Sequence, residues 1–161
     1  MENFFIFGAK WLYLFSILIA AIYFFRASAE TRKKMIALAS VSFALAFVIS
    51  IAAREMYYNP RPFVEYSFVP LIPHTADNGF PSDHTLLASA IASLFLFFNI
   101  RLSIFLWLLT GIVGLSRVYV GIHNFTDIIG SALIALISAL AAYAIIHKLW
   151  NRNRSINSPS L

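Results

Sequence analysis

The chain has 161 residues, of which 60% are hydrophobic and only 12% charged, with a net charge of +5 and a mean hydropathy of +0.79. A soluble domain carries about twice that charged fraction, so the composition excludes a soluble enzyme and predicts an all-α integral membrane protein built as a single domain, 1–161. Disulfide and thiolate chemistry are excluded because there is no cysteine.

Five apolar runs predict a bundle of five transmembrane helices, over 4–25, 35–53, 84–100, 102–120 and 126–147. The first run contains Lys10 and is followed by Ala27-Ser28-Ala29, which resembles a signal-peptidase site. A cleaved signal carries its positive charges before the apolar core. Here Arg26, Arg32, Lys33 and Lys34 come after it, so a retained helix is expected. The second run, Met35 to Ala53, has nineteen residues without a charge, enough to span the hydrocarbon core.

The outer loop, 54–83, then holds five of the six prolines, and a short helix is expected near 63–68. Its Tyr57, Tyr58, Phe63, Tyr66, Phe68 and Phe80 suit an interfacial belt. Runs three and four are separated only by Asn99, Ile100 and Arg101, which predicts an antiparallel pair. His84 and Arg117 then lie at the same end of that pair. After the fifth run comes a polar tail, 148–161, expected to fray.

Five crossings place the termini on opposite sides of the membrane. One side gathers Arg26, Arg32, Lys33, Lys34, Arg101, Lys148, Arg152 and Arg154; the other has only Arg54, Arg61 and Arg117. The richer side is expected to be cytoplasmic, with the N-terminus outside and the C-terminus inside. The basic residues sit at the ends of apolar runs, as topology requires, so they do not indicate a nucleic-acid partner.

The polar residues on the outer side form a chemical pattern. Arg54 and Arg61 leave helix two, Ser82, Asp83 and His84 open helix three, and Arg117, His123 and Asp127 join helices four and five. Ionisable groups beside the bilayer are a functional hypothesis by default. His123 and Asp127 are four residues apart, so on a helix they share a face. The carboxylate then holds one ring nitrogen and leaves the other as a nucleophile.

Phosphoryl transfer needs positioning and charge stabilisation, which Arg54, Arg61 and Arg117 offer to phosphate oxygens. The start of helix three adds backbone N–H groups, and the Ser82 hydroxyl is expected to cap it. In this scheme His123 attacks phosphorus to give a phosphohistidine, Asp127 fixes its tautomer, and protonated His84 is the general acid.

Arg54-x6-Arg61-Pro62, Pro81-Ser82-Asp83-His84 and Ser116-Arg117-x5-His123-x3-Asp127 resemble the three signatures of the type-2 phosphatidic acid phosphatase superfamily, K-x6-R-P, P-S-G-H and S-R-x5-H-x3-D. The chain departs from them at Arg54, where lysine is usual, and at Asp83, where glycine is usual. Asp83 also makes the second motif similar to small bacterial undecaprenyl-diphosphate phosphatases of the bacitracin-resistance type. The resemblance implies a lipid phosphatase in the cytoplasmic membrane that needs no cofactor and works at the extracytoplasmic helix ends. It implies His123, His84 and Asp127 as catalytic residues, and Arg54, Arg61, Ser82, Asp83 and Arg117 around the phosphate. The implied substrate is a polyprenyl diphosphate. Phosphatidylglycerophosphate or phosphatidate is the alternative, and a non-catalytic scaffold or small transporter the alternative from another class.

His147 and, largely, His74 read as interfacial residues. His74, Asp77, Asp83, His84, His123 and Asp127 include no two-histidine ligand pair at helical spacing. Three arginines already supply the positive charge that a metal would bring.

Overall fold

The computed structural model describes residues 1–157, with side chains described as far as Leu149. Helices dominate: α1 (Glu2–Arg26), α2 (Ala29–Met56), α3 (Pro62–Glu65), α4 (Asp83–Leu94), a 3-10 turn (Phe95–Phe97), α5 (Ile100–Tyr119) and α6 (Phe125–Asn157). Among the described residues the remaining regular feature is one antiparallel bridge, Pro60 to Asn78.

Among the described residues four helices are long and apolar enough to cross a membrane: α1, α2, α5 and the Phe125–Leu149 part of α6. The fifth expected crossing is the shorter apolar segment Asp83–Phe97. Its twelve α-helical residues rise about 18 Å, well short of a ~30 Å hydrocarbon core. This short helix is the centre of the bundle, packed against α1, α2, α5 and α6. Ala88, Ser89, Ala90, Ala92 and Ser93 are all buried, and such small side chains let neighbouring backbones close in. The outer helices instead turn Trp11, Leu18, Phe47, Leu108 and Leu133 outward, as a lipid-facing surface requires.

Several boundaries differ from expectation: the third expected helix, 84–100, ends at Leu94 with the 3-10 turn carrying on to Phe97, and two others shift where basic residues lie. Helix α2 starts at Ala29, so Arg32, Lys33 and Lys34 are helical. Ser28 caps it by accepting from Thr31 N at 3.2 Å, and Glu30 pairs with Lys34 one turn on at 3.0 Å. Helix α6 runs on to Asn157, so most of the expected polar tail is helix, and 158–161 lie outside the described residues. In both places the charges mark where apolarity ends and do not stop the helix. The short outer helix is α3, one turn opened by Pro62.

An apolar groove of about 410 Å³ lies between α1, α2 and α4, lined by Ile17, Ala20, Phe24, Met35, Phe43 and Leu87 among others. Leu87 is one turn beyond His84 on α4. Ile17 is one turn beyond Tyr13 on α1, and the rings of Tyr13 and His84 meet edge to face with centroids 4.4 Å apart.

At the His84 end of the bundle the outer loop is strapped onto the turn after α5. Leu71 N donates to Val120 O at 3.0 Å, and Ile72 is buried in a cluster with Ala9, Val120 and Ile122. That turn needs Gly121. Its φ is +84°, and a Cβ there would lie 2.5 Å from the Phe68 ring.

Candidate active site

His123 and Asp127 do not share a helical face, because His123 lies in the turn before α6. The contact forms differently. Asp127 is three residues beyond Asn124, the residue preceding α6, and its Oδ2 accepts the Asn124 N–H at 2.8 Å. This is the back-reaching half of a capping box. The same oxygen meets His123 Nδ1 at 3.1 Å. Oδ1 accepts from Asn59 Nδ2 at 2.7 Å. The fully buried carboxylate therefore has three donors and the positive end of a helix to hold its charge.

A carboxylate only accepts, so His123 carries its proton on Nδ1, and Nε2 has the lone pair. Two guanidinium groups converge on that nitrogen: Arg61 Nη1 at 3.3 Å and Arg117 Nη2 at 3.2 Å. Both arginine residues are about 95% buried, each being 5% exposed. Arg61 is fixed by Asp77 Oδ1 at 2.7 Å and by the Ile122 carbonyl at 2.8 Å. Arg117 donates from Nη1 to the Ala9 carbonyl at 3.1 Å, while its buried Nε has no protein partner. Two buried cations facing one lone pair, with a spare N–H, make a place for a multivalent anion.

Burial, above all, lowers the His123 pKa from its usual value, and the Arg117 and Arg61 charges add to this. The hydrogen bond and charge of Asp127 pull the other way. The net effect favours the neutral ring, which is the nucleophilic form. Asp77 is pushed up by burial, but its hydrogen bond to Arg61 and that residue's charge outweigh this and hold it below the ordinary carboxylate range.

The remaining expected site residues lie around this core. Arg54 Nη2 and Asp83 Oδ1 pair at 2.9 Å with both side chains substantially exposed, so Asp83 faces an arginine at the rim. Ser82 is buried at the position before α4 but does not cap it; its Oγ accepts from Thr85 Oγ1 at 3.2 Å. Ser82's carbonyl accepts from Ser131 Oγ at 3.0 Å, which ties α4 to α6 beside Asp127. His84 occupies the first turn of α4 against Tyr13.

Several contributors carried no signal in the sequence. Asn59 and Asn124 hold Asp127. Asn78 Nδ2 ties the loop to the Arg54 and Tyr57 carbonyls at 3.0 and 2.9 Å. Gly79 is glycine because a Cβ would lie 3.0 Å from Asp127 Oδ2. His74, expected as an interfacial residue, has its ring centroid 6.2 Å from that of His123. Among the described residues no group of three His, Asp or Glu side chains is placed to hold a metal ion.

The profile of the PAP2 superfamily matches residues 36–151 of the chain. The undecaprenyl-diphosphatase BcrC of Bacillus subtilis is 36% identical over 123 residues, which cover 76% of this chain and 63% of that protein. The bacitracin transport permease protein BcrC of Bacillus licheniformis is 32% identical over 145 residues, covering 89% of this chain and 70% of that one. The chain thus spans somewhat less than two-thirds of the length of the Bacillus subtilis relative. In fold it is similar to LpxE of Aquifex aeolicus, with a TM-score of 0.68, 24% identity, and coverage of 88% of this chain and 82% of that one.

Proposed function

Because the chain belongs to the PAP2 superfamily, we propose that it is a lipid phosphatase that removes the terminal phosphate of a polyprenyl diphosphate through a phosphohistidine on His123. The observation that carries this reading is the convergence of Arg61 and Arg117 on Nε2 of a histidine whose Nδ1 is held by a buried carboxylate.

In the first step the Nε2 lone pair attacks the terminal phosphorus. A nitrogen–phosphorus bond forms, the bridging phosphorus–oxygen bond breaks, and the lipid monophosphate departs with a proton from His84. The two guanidiniums hold the equatorial oxygens, and Asp127 steadies the imidazolium. In the second step water attacks the same phosphorus, the nitrogen–phosphorus bond breaks, His84 takes the water's proton, and inorganic phosphate leaves. Arg54, paired with Asp83 at the rim, meets the second phosphate. The apolar groove one turn beyond His84 suits a hydrocarbon tail. The bias of positive residues supports a site on the outer side of the cell membrane, where a carrier lipid is left as a diphosphate after its glycan has been transferred.

The Bacillus licheniformis relative bears a transport name. A buried nucleophile–carboxylate pair serves bond-making and has no evident use in transport. The purified protein should release phosphate from a polyprenyl diphosphate in the presence of EDTA, should be inhibited by orthovanadate, and should lose turnover in His123→Ala. Activity that needs an added divalent metal, or that survives His123→Ala, would refute the mechanism. Offered a polyprenyl diphosphate and phosphatidylglycerophosphate together, it should prefer the diphosphate in kcat/KM. A tenfold preference the other way, about 1.4 kcal/mol, would overturn the substrate while leaving the phosphatase in place.

A further inference from the structure

The chain between the two anchors of the outer loop carries one inward-turned side chain. Ile72 is buried against Val120 and Ile122, and Asp77 is bonded to Arg61. Between them Pro73, Thr75 and Ala76 are exposed, whereas His74 is partly buried and turned toward the site. Its ring meets that of His123 at 6.2 Å between centroids and 74° between planes. Both neighbours are fixed, so this spacing is built in.

We propose that His74 is a substrate-contacting residue that hydrogen-bonds the phosphate held at Nε2 of His123. This rests on the phosphatase reading above and adds a residue to it. A path from Nε2 across an attack distance of about 3–3.5 Å, out along one phosphorus–oxygen bond and on through a hydrogen bond of about 2.8 Å is longer than the ring separation when extended, so the two rings reach one phosphate with that path folded at phosphorus. Nδ1 of His74 faces the Thr75 carbonyl at 3.4 Å, so in the neutral ring that nitrogen has the proton and Nε2 can only accept. A phosphate oxygen also accepts. The contact therefore forms with the doubly protonated ring.

The charged and titratable groups facing His74 are Arg61, Arg117, Asp77, His84 and His123. Burial first, then Arg61 and Arg117, keep the His74 ring below its usual pKa, with the Thr75 carbonyl and Asp77 opposing. A bound phosphate offsets the two arginine charges and draws a proton onto the ring.

The test compares wild type, His74→Ala and His74→Asn, a neutral donor of similar reach. Orthovanadate binding is read by thermal stabilisation, and KM and kcat are measured on a polyprenyl diphosphate. His74→Ala should weaken vanadate binding and raise KM by roughly tenfold with a smaller change in kcat. His74→Asn should restore most of the binding. In wild type KM should climb with pH across roughly pH 5.5 to 8, and this climb should flatten in the asparagine variant. Vanadate binding and KM within twofold of wild type in a monodisperse His74→Ala protein overturn the proposal. So does a fall in kcat alone. If wild type binds vanadate and hydrolyses no lipid diphosphate, the enzymatic reading fails, while the binding comparison still decides His74.

Discussion

Asp127→Asn tests the heart of the site, because the amide must choose which way to face. In the native protein Oδ2 meets two donors, His123 Nδ1 and Asn124 N, and Oδ1 meets the Asn59 amide at 2.7 Å. An amide turned with its NH2 at the Oδ2 position would confront both donors. Turned the other way it keeps both bonds and points its NH2 at the NH2 of Asn59. Asn59 can relieve this by a half-turn of its own amide, because its other partner, Thr126 Oγ1 at 2.9 Å, can donate as readily as accept. The His123 tautomer therefore survives, and what is lost is the negative charge opposite the imidazolium. A hydrogen bond to a charged group contributes about 1.5–3 kcal/mol, which predicts a fall in kcat of roughly 10- to 150-fold. The assay is phosphate release at saturating lipid diphosphate in detergent. The pH profile gives a second reading. Asp127 raises the His123 pKa against burial and the arginines, so its loss lets the ring stay neutral to lower pH. The activity needs the neutral ring, which exists above its pKa. The acid limb of kcat/KM should therefore move to lower pH in the variant. A kcat within threefold of wild type, or an acid limb that moves upward, would refute the reasoning.

Two further outcomes test the rim and the orientation. Arg54→Ala should lower kcat/KM at least tenfold and Arg54→Lys much less, whereas Asp83→Asn, by freeing Arg54, should lower KM; equal and negligible effects from both Arg54 changes would remove that residue from the phosphate site. In intact cells a cysteine at Val69 should react with a membrane-impermeant thiol reagent and one at Ala29 should not; the reverse pattern would put the site in the cytoplasm.

Much of the site was legible because its residues are chemically conspicuous. Arginines and histidines between apolar runs stand out, and the helix ends gather them. What could not be read depends on the path of non-helical chain. Asn59 and Gly79 reach Asp127 only because the loop doubles back through the Pro60–Asn78 bridge, and no periodicity encodes that return. His74 looked bland because its proximity to His123 comes from the burial of Ile72 and the Asp77–Arg61 pair, two contacts distant in sequence. The pairing of His123 with Asp127 was expected from i, i+4 spacing on a helix, yet it arises from a turn and a cap. Helix α4 read as one crossing among five; small residues that allow close packing recur in the second, third and fifth runs alike, so they did not single it out as the helix that the others pack around.

The Ala9 carbonyl and Tyr13 bring the first helix against the candidate site, although the family profile begins at residue 36. A protein trimmed to the matched region would keep every motif residue and lose the acceptor that aims Arg117. Side-chain scanning would miss that dependence, since the acceptor at Ala9 belongs to the main chain. A one-residue insertion between Ala9 and Tyr13 would expose it, because it rotates Tyr13 by about 100° relative to Ala9 while altering no catalytic side chain.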